Sequence, residues 1–162
     1  VDLRTEVGHW EGDTVIGAGH QQAIVTLVER KSGFAKMAKV TQKSADLVSA
    51  AIVESLKPFG GLVKTITLDN GKEFADHQRV DQMLGSTIYF ADPFASWQRG
   101  TNENFNGLVR QYIPKKRPLS TVTEDELKMI ENKLNNRPRK RLGFRTPNEV
   151  FHESLNRVAL RV

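Results

Sequence analysis

The sequence predicts an α/β fold built on one mixed five-stranded sheet, three strands antiparallel and two parallel, with helices flanking it. Two observations carry this. β-rich stretches separated only by short turns fill His9 to Val40, which makes the first three strands an antiparallel meander. After Ser44 the apolar spacing turns helical and each later strand follows a helix. Right-handed crossovers then lay the fourth strand beside the first and parallel to it.

Thr14-Val15-Ile16 marks the first strand, and Gly17-Ala18-Gly19-His20 reads as a hairpin connection. Gly17 and Gly19 also match part of a dinucleotide fingerprint, but its third glycine and following helix are missing, so the plain turn is preferred. Ala23 to Val28 is the second strand; a turn at Ser32-Gly33 leads into a third through Phe34, Met37 and Val40. Ser44 is a plausible N-cap for a helix carrying Leu47, Val48, Ala51, Ile52 and Leu56, which Pro58-Phe59-Gly60-Gly61 stops. Val63 to Leu68 is a buried-looking strand. Phe74, Val80, Met83 and Leu84 predict a helix closed by Gly85, and Thr87 to Phe90 is the last strand. An irregular stretch, Ala91 to Gly100, precedes a helix over Thr101 to Tyr112. Thr123 with Glu126 forms a capping box, stapled by Val122 and Leu127. Thr146-Pro147-Asn148-Glu149 opens a short helix through Phe151.

The 162 residues suit one domain, 1–162, with one core, and no linker or repeat divides them. A hydrophobic fraction of 38% and a charged fraction of 27% exclude a disordered or fibrous chain. The longest apolar stretch, Ala23 to Val28, is far short of a membrane span. No secretion signal opens the chain, and the first residue is Val1, so it reads as part of a longer protein. The absence of cysteine excludes disulfides, thiolate zinc sites and cysteine nucleophiles, and suits a reducing cytosol. Net charge is +5 with pI near 9.6. The excess is concentrated: Arg137, Arg139, Lys140, Arg141 and Arg145 form one cluster, and Arg110, Lys115, Lys116 and Arg117 another. Such clusters are either solvated surface or a nucleic-acid footprint.

Asp13 falls inside the first strand, where aspartate is disfavoured, and Asp69 ends the fourth, beside the first. Carboxyl ends of adjacent parallel strands are where ligands bind in open α/β sheets. Two carboxylates about 4 Å apart repel by about 1 kcal/mol in water, and partial burial raises that several-fold. A divalent cation reverses the sign, and all-oxygen ligands suit Mg²⁺ or Mn²⁺. Taken singly, Asp13 also fits a strand-edge aspartate and Asp69 an ordinary turn residue. Glu103 is the third candidate, although two residues after Thr101 it also fits simple helix-dipole complementation. Asn106, Gly107 and Arg110 share its helical face, and Gly107 suggests a close approach there. Glu11, Glu73 and Asp92 are the runners-up for the third ligand.

The segments Gly8-His9-Trp10-Glu11-Gly12-Asp13-Thr14, Leu68-Asp69-Asn70-Gly71-Lys72-Glu73-Phe74 and Trp97-Gln98-Arg99-Gly100-Thr101-Asn102-Glu103-Asn104 strongly resemble the signatures of the insertion-sequence-thirty family of bacterial transposases. Asn135-Asn136-Arg137-Pro138-Arg139-Lys140 and Thr146-Pro147 resemble that family's tail. More broadly the chain resembles the retroviral-integrase catalytic core, with a ribonuclease-H-like fold. The resemblance implies that Asp13, Asp69 and Glu103 are a DDE triad, the last two separated by the family's 34 positions. It further implies two Mg²⁺ or Mn²⁺ ions, in-line hydrolysis at transposon ends and strand transfer into target DNA. The implied partners are DNA and further copies of the chain assembled on it, in the bacterial cytoplasm at the nucleoid. The family's N-terminal helix-turn-helix region, which recognises transposon ends, has no counterpart here.

Gln98, Arg99 and Arg110 are candidates for positioning the scissile DNA, and Arg137, Arg139, Lys140 and Arg141 for contacting phosphates. Trp97 fits either base stacking or a core anchor. His77 and His152 read as structural or surface residues. Two other functions fit the same residues: a structure-specific nuclease that cuts without joining, and a catalytically inactive DNA-binding or assembly module.

Overall fold

The computed structural model describes residues 5–92, 98 and 100–160. The sheet has five strands in the order β3-β2-β1-β4-β5: β1 His9–Ile16, β2 Ala23–Glu29, β3 Ala35–Val40, β4 Thr65–Leu68 and β5 Thr87–Phe90. β1, β2 and β3 are antiparallel, β4 runs parallel to β1, and β5 parallel to β4. The helices are α1 Ala45–Leu56, α2 His77–Leu84, α3 Gly100–Val109, α4 Glu124–Asn135 and α5 Pro147–Leu160.

Local chemistry accounts for the boundaries. The Ser44 side chain accepts from Leu47 N at the start of α1, and Gly85, in the left-handed region at φ 64°, closes α2. The Thr123 side chain accepts from Glu126 N at the start of α4. At α5, Thr146 and Glu149 cap each other's backbone amides. That helix does not stop near Phe151 as the sequence reading expects; it continues to Leu160. No glycine or proline interrupts residues 148–160, and Glu153 pairs with Arg157 one turn on at 2.8 Å. The predicted second helix is also divided, into a short 3₁₀ turn, Lys72–Phe74, followed by α2.

Alternation along the strands builds a core on each face of the sheet. One face gathers Trp10, Val25, Leu27, Ile66 and Leu68 against Val48, Ile52 and Leu56 of α1, Val80 of α2 and Phe151 of α5. An aromatic cluster sits at its end. Phe34 stacks on Phe151 with centroids 4.3 Å apart, and Trp10 donates its indole N–H to Leu62 O at 2.9 Å. The other face packs Val15, Ile24, Val28 and Met37 against Phe105 and Val109 of α3 and Leu127, Ile130 and Leu134 of α4. Gly12 is required by the packing of the first face, since a Cβ there would lie 2.6 Å from Leu68 Cδ2.

Two buried side chains do backbone work. Glu29, fully buried, accepts from Gly8 N, Lys31 N, Ser32 N and Ser32 Oγ, which pins the β2–β3 turn. Along the outer edge of β3, Asn135 of α4 accepts from Ala35 N and donates to Ala35 O, both at 2.9 Å, while Glu131 accepts from Met37 N. The side chains of α4 therefore stand in for a missing neighbouring strand. Asn135→Ala leaves Ala35 N–H and C=O unpaired and should cost about 2 kcal/mol. Melting temperature should fall by roughly 4–8 °C, whereas Asn132→Ala on the exposed side of α4 should leave it unchanged.

Candidate active site

The parallel register of β1 and β4 pairs Glu11 with Thr67. Two residues further along each strand lie Asp13 and Asp69, on the same face by strand alternation. Both are half-buried. Asp69 Oδ1 accepts from Gly71 N at 2.7 Å, a tight Asx turn that carries the chain off the end of β4. Glu103 is exposed on the first turns of α3. One turn on, Asn106 Nδ2 donates to Asp13 Oδ2 at 3.1 Å, which ties the helix carrying Glu103 to the strand carrying Asp13. Among the described residues, no three acidic or imidazole side chains converge closely enough to hold one ion. The donor chemistry nonetheless fits a hard divalent cation: Asp13 from within β1 and Asp69 from just past the end of the adjacent β4 offer carboxylate oxygens, and Glu103 is exposed at the surface.

The runner-up acids have partners of their own, although Glu73 and Asp69 both bring a carboxylate oxygen close to Gly71. Glu11 is fully buried, and Arg30 Nε donates to its Oε2 at 2.9 Å. Its other oxygen accepts from Asn102 N at 3.3 Å. Glu73 accepts from Thr14 Oγ1 and pairs with Lys43 at 3.3 Å. Asp92 N donates to Gln98 Oε1 at 2.7 Å, which holds the Gln98 side chain beside that acid.

Composition and spacing did not reveal the polar layer beneath α3. Arg30 Nη2 also donates to Gln98 O at 2.8 Å. Asn102, fully buried, donates to Glu11 O and Thr26 O. Thr26 Oγ1 donates to Asn106 Oδ1 at 2.8 Å, which turns the Asn106 amide nitrogen toward Asp13. The signal available in the sequence was Thr26, a polar residue within the run Ala23 to Val28 that is apolar on both sides of it, together with two asparagines four apart on one helix.

Arg110 Nη2 donates to Ile16 O at 2.7 Å, so part of its guanidinium anchors α3 to the end of β1, and burial lowers its pKa from the ordinary value. Gly107 meets nothing within 4 Å of an added Cβ, so no described part of this chain makes the close approach that glycine suggested. Arg99 and Trp97 lie outside the described residues. His77 packs edge-on against Phe90, and the His152 ring packs against Phe34 and Phe151, structural positions for both. Arg117 is spent on a two-pronged pair with Glu126, both contacts 2.7 Å, and Arg145 pairs with Glu153 at 2.8 Å.

A mixed five-stranded sheet in this strand order, with helices on both faces, is a ribonuclease-H-like fold. The fold matches the catalytic core domain of BIV integrase with TM-score 0.73 and 21% identity, covering 95% of this chain and 99% of that one. It also matches a simian T-cell lymphotropic virus intasome structure with TM-score 0.63 and 17% identity, over 79% of this chain and 48% of that one. The chain belongs to the integrase core domain family, which its residues 4–96 match. It is 49% identical over 156 residues to the transposase for insertion sequence element IS4351 of Bacteroides fragilis, covering 96% of this chain and 48% of that protein. It is 42% identical, again over 96% of its length, to the transposase InsI for insertion sequence element IS30A of Escherichia coli, and covers 40% of that protein. The chain thus spans less than half the length of these relatives.

The Glu11–Arg30 pair is the most deeply buried ionic contact of the site. Removing one partner strands the other, so Arg30→Met should lower stability by about 3–5 kcal/mol in urea denaturation. The double variant Glu11→Leu/Arg30→Met should recover a large part of that loss, because no uncompensated charge then remains buried. Equal losses in the single and double variants would mean that the pair is not what Arg30 contributes.

Proposed function

We propose that residues 1–162 form the single catalytic core domain of a bacterial DNA transposase. In this reading Asp13, Asp69 and Glu103 hold Mg²⁺ or Mn²⁺, two ions in the active complex. The observation that supports it is the β1–β4 register, whose last partners, Glu11 and Thr67, stand two residues before Asp13 and Asp69, with Asn106 linking Asp13 to the helix of Glu103. When bound, such ions activate a water or a 3′-hydroxyl and stabilise the leaving oxygen of an in-line displacement.

The chain's own residues do the rest. Asp13, inside β1, and Asp69, just past the end of β4, supply anionic oxygens. Asn106, oriented by Thr26, fixes one rotamer of Asp13. Glu103 closes the site from α3. Gln98, Arg99 and Arg110 position the scissile strand, Arg110 with the guanidinium nitrogen left buried and unpartnered once Nη2 binds Ile16 O. Hydrolysis frees a 3′ end of the element, and strand transfer repeats the displacement with that end as nucleophile. The segment that reads the transposon ends belongs elsewhere in the longer protein, and the active form is a homo-oligomer assembled on DNA. No helix among the described residues is long and apolar enough to cross a membrane, which fits a place at the bacterial nucleoid.

Metal binding offers the first check. At tenfold excess over Kd, Mg²⁺ or Mn²⁺ should stabilise the chain by about 1.4 kcal/mol, a rise of roughly 3–6 °C in Tm. An unchanged melting curve would count against the site. The second check uses the full-length protein with labelled element ends. Asp13→Asn, Asp69→Asn and Glu103→Gln should each abolish cleavage and joining, while metal-free stability stays level or rises for the two aspartate variants, which relieve like charges on adjacent strands, and stays level for the exposed Glu103. Asp92→Asn should retain most activity. Substantial cleavage by Glu103→Gln would move the third ligand to another acid, and substantial cleavage by Asp69→Asn would overturn the mechanism.

A further inference from the structure

Gln98 stands two residues before α3, and among the described residues three hydrogen bonds hold it. Two of them are exposed and involve its side chain. Asp92 N donates to Gln98 Oε1 at 2.7 Å, and Gln98 Nε2 donates to Asp92 Oδ2 at 3.4 Å. The third holds the main chain. Arg30 Nη2 donates to Gln98 O at 2.8 Å, while Nε of the same guanidinium donates to Glu11 Oε2 at 2.9 Å. The Arg30 side chain is mostly buried and that of Glu11 entirely so. Exposed bonds between neutral groups exchange with water or a ligand at little net cost, whereas a sheltered bond from a charged donor is stronger and is not readily given up.

The guanidinium is tied to the strand of Asp13 in two ways. Arg30 N donates to His9 O at 2.8 Å, which fixes its backbone against β1. Its Nε is bound to Glu11, which lies two residues before Asp13 and on the same face of β1. Glu11 Oε1 in turn accepts from Asn102 N at 3.3 Å, at the start of α3. One ion pair therefore locates both the Gln98 main chain and the first turn of α3 relative to Asp13. Apolar side chains of similar volume would fill the space with less desolvation cost, but they would hold nothing in a fixed direction. The planar fork of arginine serves two acceptors at once, which the compact charge of lysine does not.

We propose that Arg30 is a positioning residue of the reaction: it keeps the Gln98 main chain fixed relative to Asp13 while the Gln98 side chain leaves Asp92 for the scissile DNA. The proposal rests on the reading that Gln98 positions that strand and that Asp13 belongs to the catalytic acids. In this role Arg30 acts through Gln98 and not on the DNA itself. Its loss is felt in the rate at saturating DNA more than in affinity, because most of the affinity for DNA comes from phosphate contacts by other basic residues.

The test follows cleavage of labelled element ends by the full-length protein in single turnover, which gives the saturating rate and the half-saturating DNA concentration separately. Arg30→Lys keeps a charge opposite Glu11 but cannot span both acceptors. It should melt close to the wild type, with a saturating rate lower by roughly tenfold or more and half-saturation changed by less than about twofold. Glu11→Leu/Arg30→Met controls for a purely structural role. It regains much of the stability lost in Arg30→Met, yet it should stay as slow as Arg30→Lys. In a Gln98→Ala background, Arg30→Lys should add no further loss beyond about twofold, because both changes remove the same placement. A wild-type rate in Arg30→Lys overturns the proposal. So does a double variant that regains rate together with stability, or a full additional loss in the Gln98→Ala background. If Arg30→Lys does not fold, the double variant, alone and in the Gln98→Ala background, carries the same comparison. Asp69→Asn separates the two readings. Lost cleavage in Asp69→Asn beside a wild-type rate in Arg30→Lys fails this proposal only. Cleavage that persists in Asp69→Asn, with the Arg30→Lys loss absorbed by Gln98→Ala, fails the assignment of the acids only.

Discussion

The site depends on a buried carboxylate. Glu11 lies at the centre of β1 with no exposure, and a charge in that position requires partners or a large desolvation cost. Arg30 from the end of β2 supplies the charge, and Asn102 donates its backbone N–H to the carboxylate and its side-chain N–H to the Glu11 main-chain oxygen. Because Arg30 also holds Gln98 O, the carboxylate fixes two points of chain around the start of α3. The apolar contacts of Phe105 and Val109 drive that helix onto the sheet, but they are non-directional. Hydrogen bonds to Glu11, Thr26 and Asp13 are what set its rotation and its height along β1.

The two faces of the sheet divide the labour accordingly. The face under α1, α2 and α5 is apolar and aromatic, and it anchors the strands. The face under α3 and α4 mixes an apolar core with a polar layer in which Glu11, Thr26, Asn102 and Asn106 satisfy one another. Such a layer costs more to bury than leucines would, and its directional bonds hold an unusual strand aspartate in one orientation. The same device recurs structurally where Glu29 holds a turn and Asn135 and Glu131 close the free edge of β3.

Charge is likewise sorted by the fold. Arg117 and Arg145 come from the two basic clusters of the sequence, and each meets a glutamate, Glu126 and Glu153 respectively. Pairing of this kind turns part of a basic cluster into structural glue.

By itself the sequence determined the strand meander, the helical crossovers, the caps at Ser44, Thr123 and Thr146, and the placing of Asp13 inside the first strand with Asp69 at the end of the adjacent fourth. These follow from local periodicity, turn chemistry and the handedness of crossovers, all written in neighbouring residues. Its motifs also identified the family. The length of α5 escaped it, because a helix continues as far as packing and ion pairs support it, and Arg157 and Glu153 only gain meaning once the helix exists. Only the tertiary structure decided that Glu11 is consumed by Arg30, that Asn106 reaches Asp13 and that Arg110 leans on Ile16 O. Those contacts join residues 19 to 94 positions apart, and no local pattern encodes which of several similar acids and amides will meet across such distances.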